Sequence, residues 1–113
     1  MEQRKAIIKE CFGAQENIRV ISAQGAVADV ALAHGCSAIV RGLRSLSDYD
    51  YEVQLQQINK DIGNINTVFL FADREYQFIS SSMVKEVFAL GKDISRYVPK
   101  NVLRAMQQKK EEN

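Results

Sequence analysis

Two short stretches of this sequence carry residue types suited to holding an anion: Arg41-Gly42-Leu43-Arg44 and Ile79-Ser80-Ser81-Ser82. A guanidinium offers a planar fork of donors that matches the oxygens of a phosphate two at a time. Gly42 lets the backbone turn sharply and approach a ligand closely. Two arginines at this spacing can hold two different phosphates, each charge-assisted bond contributing about 1.5–3 kcal/mol. The plainer alternative is a pair of solvated loop residues bonded to Asp48 or Asp50. The serine run opens a helix, where unpaired backbone N–H groups and the positive end of the helix dipole attract phosphate and serine hydroxyls add donors. Simple capping needs only one serine. None of the three has Glu or Gln three residues later, so a capping box does not account for the run.

Other residues bear on the same chemistry. Glu52 lies one turn into the helix that follows the arginine pair, near Arg44, where its carboxylate can accept from a ribose hydroxyl or orient an arginine; an exposed helical glutamate is the ordinary alternative. His34 is the single histidine and suits a helix C-terminus better than a metal site or a general base. No serine–histidine–acid set, metal-ligand cluster or GxGxxG occurs. Tyr49, Tyr51, Tyr76 and Phe78 can stack on a base, but their helical or strand settings favour core and rim packing.

The elements that must position these residues follow from periodicity. Glu2 to Phe12 places Ile7, Ile8, Cys11 and Phe12 on one helical side before Gly13. The β-branched run Ile18-Arg19-Val20-Ile21 predicts a strand. Gly25 to His34 predicts a helix with Ala26, Val27, Val30 and Ala31 inside and Gly35 ending it. Ala38-Ile39-Val40 predicts a strand covered on both faces, as in a parallel sheet. A third helix begins near Ser47-Asp48, with Tyr51, Leu55, Ile58 and Ile62 as its apolar stripe, and stops at Gly63-Asn64. Thr67 to Phe71 predicts a strand. Ser80 to Leu90 predicts a helix with Met83, Val84, Val87 and Phe88 inside and Gly91 closing it. Pro99 suits the first turn of a last helix through Met106, after which Lys109 to Asn113 is expected to fray. Alternating helices and strands predict an α/β fold, a parallel sheet with crossover helices and ligands at the carboxyl ends of the strands.

The bulk properties fit one domain. The chain has 113 residues, 46% hydrophobic and 26% charged, with Lys+Arg 15 against Asp+Glu 14 for a net charge of +1. That balance gives no reason to expect a nucleic-acid or membrane partner, so an anion must be held by local geometry. Cys11 and Cys36 read as reduced thiols, and the chain reads as soluble and cytoplasmic. No apolar run approaches the roughly 20 residues of a membrane span.

Val40-Arg41-Gly42-Leu43-Arg44, then Asp48-Tyr49-Asp50-Tyr51-Glu52-Val53-Gln54-Leu55, then Tyr76 through Val87 resemble the bacterial phosphopantetheine adenylyltransferases, over essentially the whole chain and including Pro99 and Asn101. Related nucleotidyltransferases share the fold and a serine- or threonine-bearing helix start but are not expected to combine RGLR with this tyrosine–glutamate helix. The resemblance implies a Rossmann-like nucleotidyltransferase fold, a homohexamer, and transfer of the adenylyl group of ATP to 4′-phosphopantetheine, giving dephospho-coenzyme A and pyrophosphate for coenzyme A biosynthesis. Carried over by position, Arg41 holds the pantetheine phosphate and Val27 touches the pantetheine arm. Gly42, Leu43, Arg44, Glu52, Tyr76, Gln77, Phe78, Ile79, Ser80, Ser81 and Ser82 line the ATP site. Mg2+ arrives with the triphosphate, not in a protein cage.

The sequence departs from that family at its start. Members begin with a strand and a loop bearing a T/HxGH motif whose second histidine stabilises the transition state, followed by a further strand and a substrate-contacting lysine. Met1-Glu2-Gln3-Arg4 resembles the helix after all of these, and His34 lies in no such motif. The expectation is a single, partial, N-terminally truncated domain over residues 1–113 with no catalytic residue of its own, inactive or impaired as it stands. The alternative is a non-catalytic remnant that binds nucleotide or coenzyme A or serves assembly. By family topology the absent strands belong between Ile18–Ile21 and Ala38–Val40.

Overall fold

The computed structural model describes residues 2–112. In chain order the elements are α1 (Glu2–Phe12), α2 (Val27–Ala33), β1 (Ala38–Leu43), α3 (Leu46–Gly63), β2 (Asn66–Phe71), a 3₁₀ turn (Arg74–Tyr76), α4 (Ser81–Ala89) and α5 (Lys100–Glu112). They fall into two compact units. One is Ala23–Phe78; the other combines the residues up to Ser22 with those from Ile79 onward.

The Ala23–Phe78 unit is a β–α–β arrangement with α2 added. β1 and β2 run parallel, in a register from Ala38 opposite Asn66 to Leu43 opposite Phe71. Side chains alternate across a strand, and directly opposed residues share a face. One face therefore carries Ile39, Arg41 and Leu43 beside Thr67, Phe69 and Phe71; the other carries Val40 and Gly42 beside Val68 and Leu70. The first face is the packed one, except at Phe71, which is 62% exposed. Ile39 joins Ala28, Ala31 and Ile65 in a buried cluster, Leu43 is wholly buried, and the ring of Tyr49 on α3 meets Phe69 edge-on at 6.3 Å. Val40, Val68 and Leu70 on the second face stay largely exposed.

Local sequence sets the limits of α3. Ser45, extended at φ −153°, accepts from the Asp48 N–H and caps the helix just before the Ser47-Asp48 start that sequence predicts. At the other end Asn64 takes the left-handed conformation (φ 50°) and closes the helix. Gly63, the last helical residue, is there for space. A Cβ on it would meet Leu32 Cδ1 at 2.9 Å and Ala28 Cβ at 3.1 Å, so a larger residue would have to turn the Leu32 side chain aside and ease α2 away slightly.

In the other unit Ser80 caps α4 by accepting from the Met83 N–H, Val84 and Ile94 are buried, and Gly91 (φ 76°) follows the helix end. Asn101 on α5 binds back to α1. Its amide donates to Ile7 O at 3.0 Å and Glu10 Oε2 at 3.3 Å, and its Oδ1 accepts a weak bond from Cys11 Sγ.

Several expectations need correction. Ile18-Arg19-Val20-Ile21 is not a strand, and Ile18 and Ile21 are exposed. Its β-branched residues favour an extended backbone, but a strand also needs a partner's ladder, and no described strand lies beside it. β1 continues through Leu43, so Arg41, Gly42 and Leu43 are strand residues and not the loop after it. Its second face is open within the unit, contrary to a strand covered on both sides. α2 starts at Val27 and buries Ala28 and Ala31, while Val27 is exposed: its apolar side is rotated from the predicted one because small residues let it seat on the sheet. The α3 stripe is only partly interior. Tyr51, Ile58 and Ile62 are more than half exposed, and the buried residue of that helix is Glu52. α5 runs on through Glu112, so Lys109 to Glu112 are helical where fraying was expected; Asn113 lies outside the described residues.

Candidate functional site

The residues predicted to hold ligands divide between the two units. Val27, Arg41, Gly42, Leu43, Arg44, Glu52, Tyr76, Gln77 and Phe78 belong to the first; Ile79, Ser80, Ser81 and Ser82 belong to the second.

In the first unit, a cavity of about 430 Å³ opens beside α2, β1 and α3. Val27, Arg41 and Glu52 all line it, so residues apart in sequence and singled out separately meet around one space. Leu55, Ile58 and Ile62 give it apolar walls, which accounts for their incomplete burial. Gln56, Asn59 and Thr67 contribute polar groups there. The Thr67 hydroxyl is buried and has no hydrogen-bond partner in the protein. These three were not predicted. Asn59 and Gln56 looked like ordinary polar positions of an amphipathic helix, and Thr67 like the first residue of a strand; only the register of β2 against β1 brings Thr67 to the same face as Arg41.

Arg41 and Glu52 form the strongest polar contact of the unit. Arg41 Nε donates to Glu52 Oε2 at 2.8 Å and Nη2 donates to Oε1 at 2.6 Å, the parallel fork that suits these two groups. The glutamate side chain is 11% exposed, the arginine 46%. The bonds from Arg41 hold the Glu52 carboxyl below the usual carboxylate range despite its burial, which acts the other way. They also raise the guanidinium further above its ordinary value. Periodicity placed Glu52 near Arg44; the structure pairs it with Arg41 instead, because Arg41 projects from the packed face of β1 that α3 crosses.

Arg44 is engaged by Asp48, through a backbone N–H bond of 3.1 Å and an ion pair of 3.5 Å. The aspartate pairing foreseen as the plain alternative is thus real for this arginine. Gly42 and Leu43 close β1; the Leu43 side chain is fully buried, so only its backbone can face a ligand. Tyr76 and Phe78 are more than half exposed, and Gln77 donates to Ala72 O at 3.1 Å. Of the four aromatic residues weighed for stacking, Tyr49 packs on Phe69.

In the second unit Ser80 caps α4 through its hydroxyl, as capping alone would require. Ser81 and Ser82 form the first turn with exposed side chains, and Ile79 is half-buried. His34, at the C-terminal end of α2, has Nδ1 2.9 Å from Val30 O. Cys11 and Cys36 are free thiols. Among the described residues no group of three or more His, Cys, Asp or Glu side chains could hold a metal ion, and no helix is long and apolar enough to cross a membrane.

The family model described as cytidylyltransferase-like matches residues 1–87, which takes in every residue named around the cavity and the serine-capped helix start. The chain belongs to the cytidylyltransferase-like family. Its helices with a small parallel sheet fit the Rossmann-like α/β nucleotidyltransferase fold of that family. Within it, the chain is similar to the phosphopantetheine adenylyltransferase of Deinococcus radiodurans, at 40% identity over 109 residues. That match covers 96% of this chain and 65% of the relative, so the chain spans slightly less than two-thirds of the relative's length.

Proposed function

We propose that this chain supplies the substrate-holding part of a nucleotidyltransferase that moves the adenylyl group of ATP to 4′-phosphopantetheine, releasing pyrophosphate and forming dephospho-coenzyme A. The observation that carries the reading is the single cavity on which Val27, Arg41 and Glu52 converge. It has a cation at one place, apolar walls beside it and an unpartnered hydroxyl, Thr67 Oγ1, within its lining. A phosphate joined to a flexible arm with amide groups matches that combination: the phosphate faces Arg41, and the arm lies along Val27, Leu55 and Ile58. The similarity to a phosphopantetheine adenylyltransferase supports the same substrate.

In this reading Gly42, Leu43 and Arg44, with Tyr76 through Phe78, serve the nucleotide from the first unit, and the resemblance assigns Ile79 through Ser82 of the second unit to its phosphates. The α4 start offers backbone N–H groups and the exposed Ser81 and Ser82 hydroxyls to its phosphates. An oxygen of the 4′-phosphate attacks the α-phosphorus of ATP and the bond to pyrophosphate breaks, without a covalent enzyme intermediate. Holding the reacting phosphates in place and neutralising their charge is the contribution open to these side chains. Mg2+ is part of this proposal, as an ion that would come with the triphosphate and neutralise its negative charge. A cytoplasmic homohexamer belongs to the same proposal.

Calorimetry of the folded chain with 4′-phosphopantetheine and with ATP, alongside an assay of pyrophosphate release, tests it. Binding of both ligands is expected, with 4′-phosphopantetheine binding lost in Arg41→Ala. Heat without pyrophosphate release would favour the non-catalytic reading. No heat with either ligand would sink both.

A further inference from the structure

We infer that Glu52 is the positioning residue for Arg41: it fixes the plane of the guanidinium so that the opposite edge is presented to a phosphate. Glu52 was expected to line the nucleotide site, yet both of its oxygens are taken by Arg41, at 2.8 and 2.6 Å. Its side chain is 11% exposed, which leaves little open surface for a ribose hydroxyl.

The donor count shows what remains for a ligand. A guanidinium has five N–H donors. Glu52 takes Nε–H and one hydrogen of Nη2. The three left over are both hydrogens of Nη1 and the second of Nη2, and these form the other edge of the same plane, again a two-pronged fork suited to phosphate. The arginine keeps 46% of its side-chain surface open, and both residues line the cavity. A long, flexible side chain would otherwise lose rotamer freedom on binding; the carboxylate has already imposed that order. Glutamine keeps the size of Glu52 but turns one acceptor into an NH2 group that faces the guanidinium donors. Aspartate keeps the charge at shorter reach.

This role rests on the reading of the cavity as a phosphate-and-arm site, and two measurements separate the two. The first needs no ligand. In the NMR spectrum of the chain at neutral pH, the Arg41 Nε–H signal should be sharp and protected from exchange, and should be lost in Glu52→Gln. A signal that exchanges rapidly in the unsubstituted chain, or that persists in Glu52→Gln, overturns the inference. The second is calorimetry with 4′-phosphopantetheine and, separately, ATP. Glu52→Gln should weaken 4′-phosphopantetheine about tenfold, the scale of one lost charge-assisted bond, with ATP affinity unchanged, and Glu52→Asp should recover part of the loss. If Arg41→Ala abolishes 4′-phosphopantetheine binding while Glu52→Gln leaves it intact, or if Glu52→Gln weakens ATP as much, the positioning role fails and the cavity's function stands. If Arg41→Ala itself has no effect, the reading of the cavity fails and the positioning role falls with it.

Discussion

Ile39, Arg41 and Leu43 leave β1 on one side of the sheet, Val40 and Gly42 on the other, and the two sides have unequal work. The covered side holds core residues and an ion pair together: Leu43 is fully buried, and Arg41, next in line on that face, is held by a carboxylate from the helix that does the covering. The open side is just as apolar in sequence, yet Val40, Val68 and Leu70 remain largely exposed. The lesson is that hydrophobicity alone did not decide which face was packed. α3 did, by bringing Tyr49 and Glu52 over one side only, and so a paired arginine sits beside core residues.

The contrast can be broken or sharpened by substitution. Leu43→Ala should cost about 2–5 kcal/mol, as for other buried leucines, while Val40→Ala on the open face should stay within about 0.5 kcal/mol; urea unfolding of both chains reads the difference. Similar losses at the two positions would mean that the open face is covered in solution. Arg41→Ala should cost about 1–3 kcal/mol. That lies between exposed and buried ion pairs, because one partner is half exposed and the other is left buried without its cation.

The same pair predicts a pH dependence. The folded-state pKa of Glu52 is lowered by the bonds from Arg41, so its contribution is fully present above its unfolded value, about 4.3. The contribution is lost as pH falls from there through the lower folded value, because in that window the unfolded state takes up the proton first. Urea midpoints measured from pH 7 downward should fall more steeply below about pH 4.3 in the parent chain than in Glu52→Gln. Parallel curves would deny the carboxylate its role. Ser80→Ala should cost about 1 kcal/mol through loss of the α4 cap. The smallest effect has the opposite sign: Thr67→Val removes a buried hydroxyl without a partner and should stabilise the free chain by about 0.5–1 kcal/mol. If that hydroxyl meets the ligand, 4′-phosphopantetheine affinity should drop at the same time.

Most helices were legible because their stop signals are local. Gly13, Gly35, Gly63-Asn64 and Gly91 mark ends that the backbone honours. The arginine pair and the serine run drew notice by residue type, and within each the plain alternative holds at one position: Arg44 pairs with Asp48 and Ser80 caps α4. What sequence could not give was partnership. Ile18–Ile21 has strand composition, but a strand depends on a neighbour that local sequence does not encode. The bond between Arg41 and Glu52 depends on which face α3 crosses, and periodicity along α3 pointed its apolar stripe, not its glutamate, inward. Thr67 was hidden for the same reason: its meaning comes from register against β1.

Asn101 has a reach that its single side chain conceals. By gripping the Ile7 carbonyl and Glu10 it fastens the opening helix to the closing one, although α1 buries no residue of its own. Amide protection along α1 should therefore rise and fall with that of α5, and removing the Asn101 side chain should loosen α1. Two helices far apart in sequence thus share one fastening.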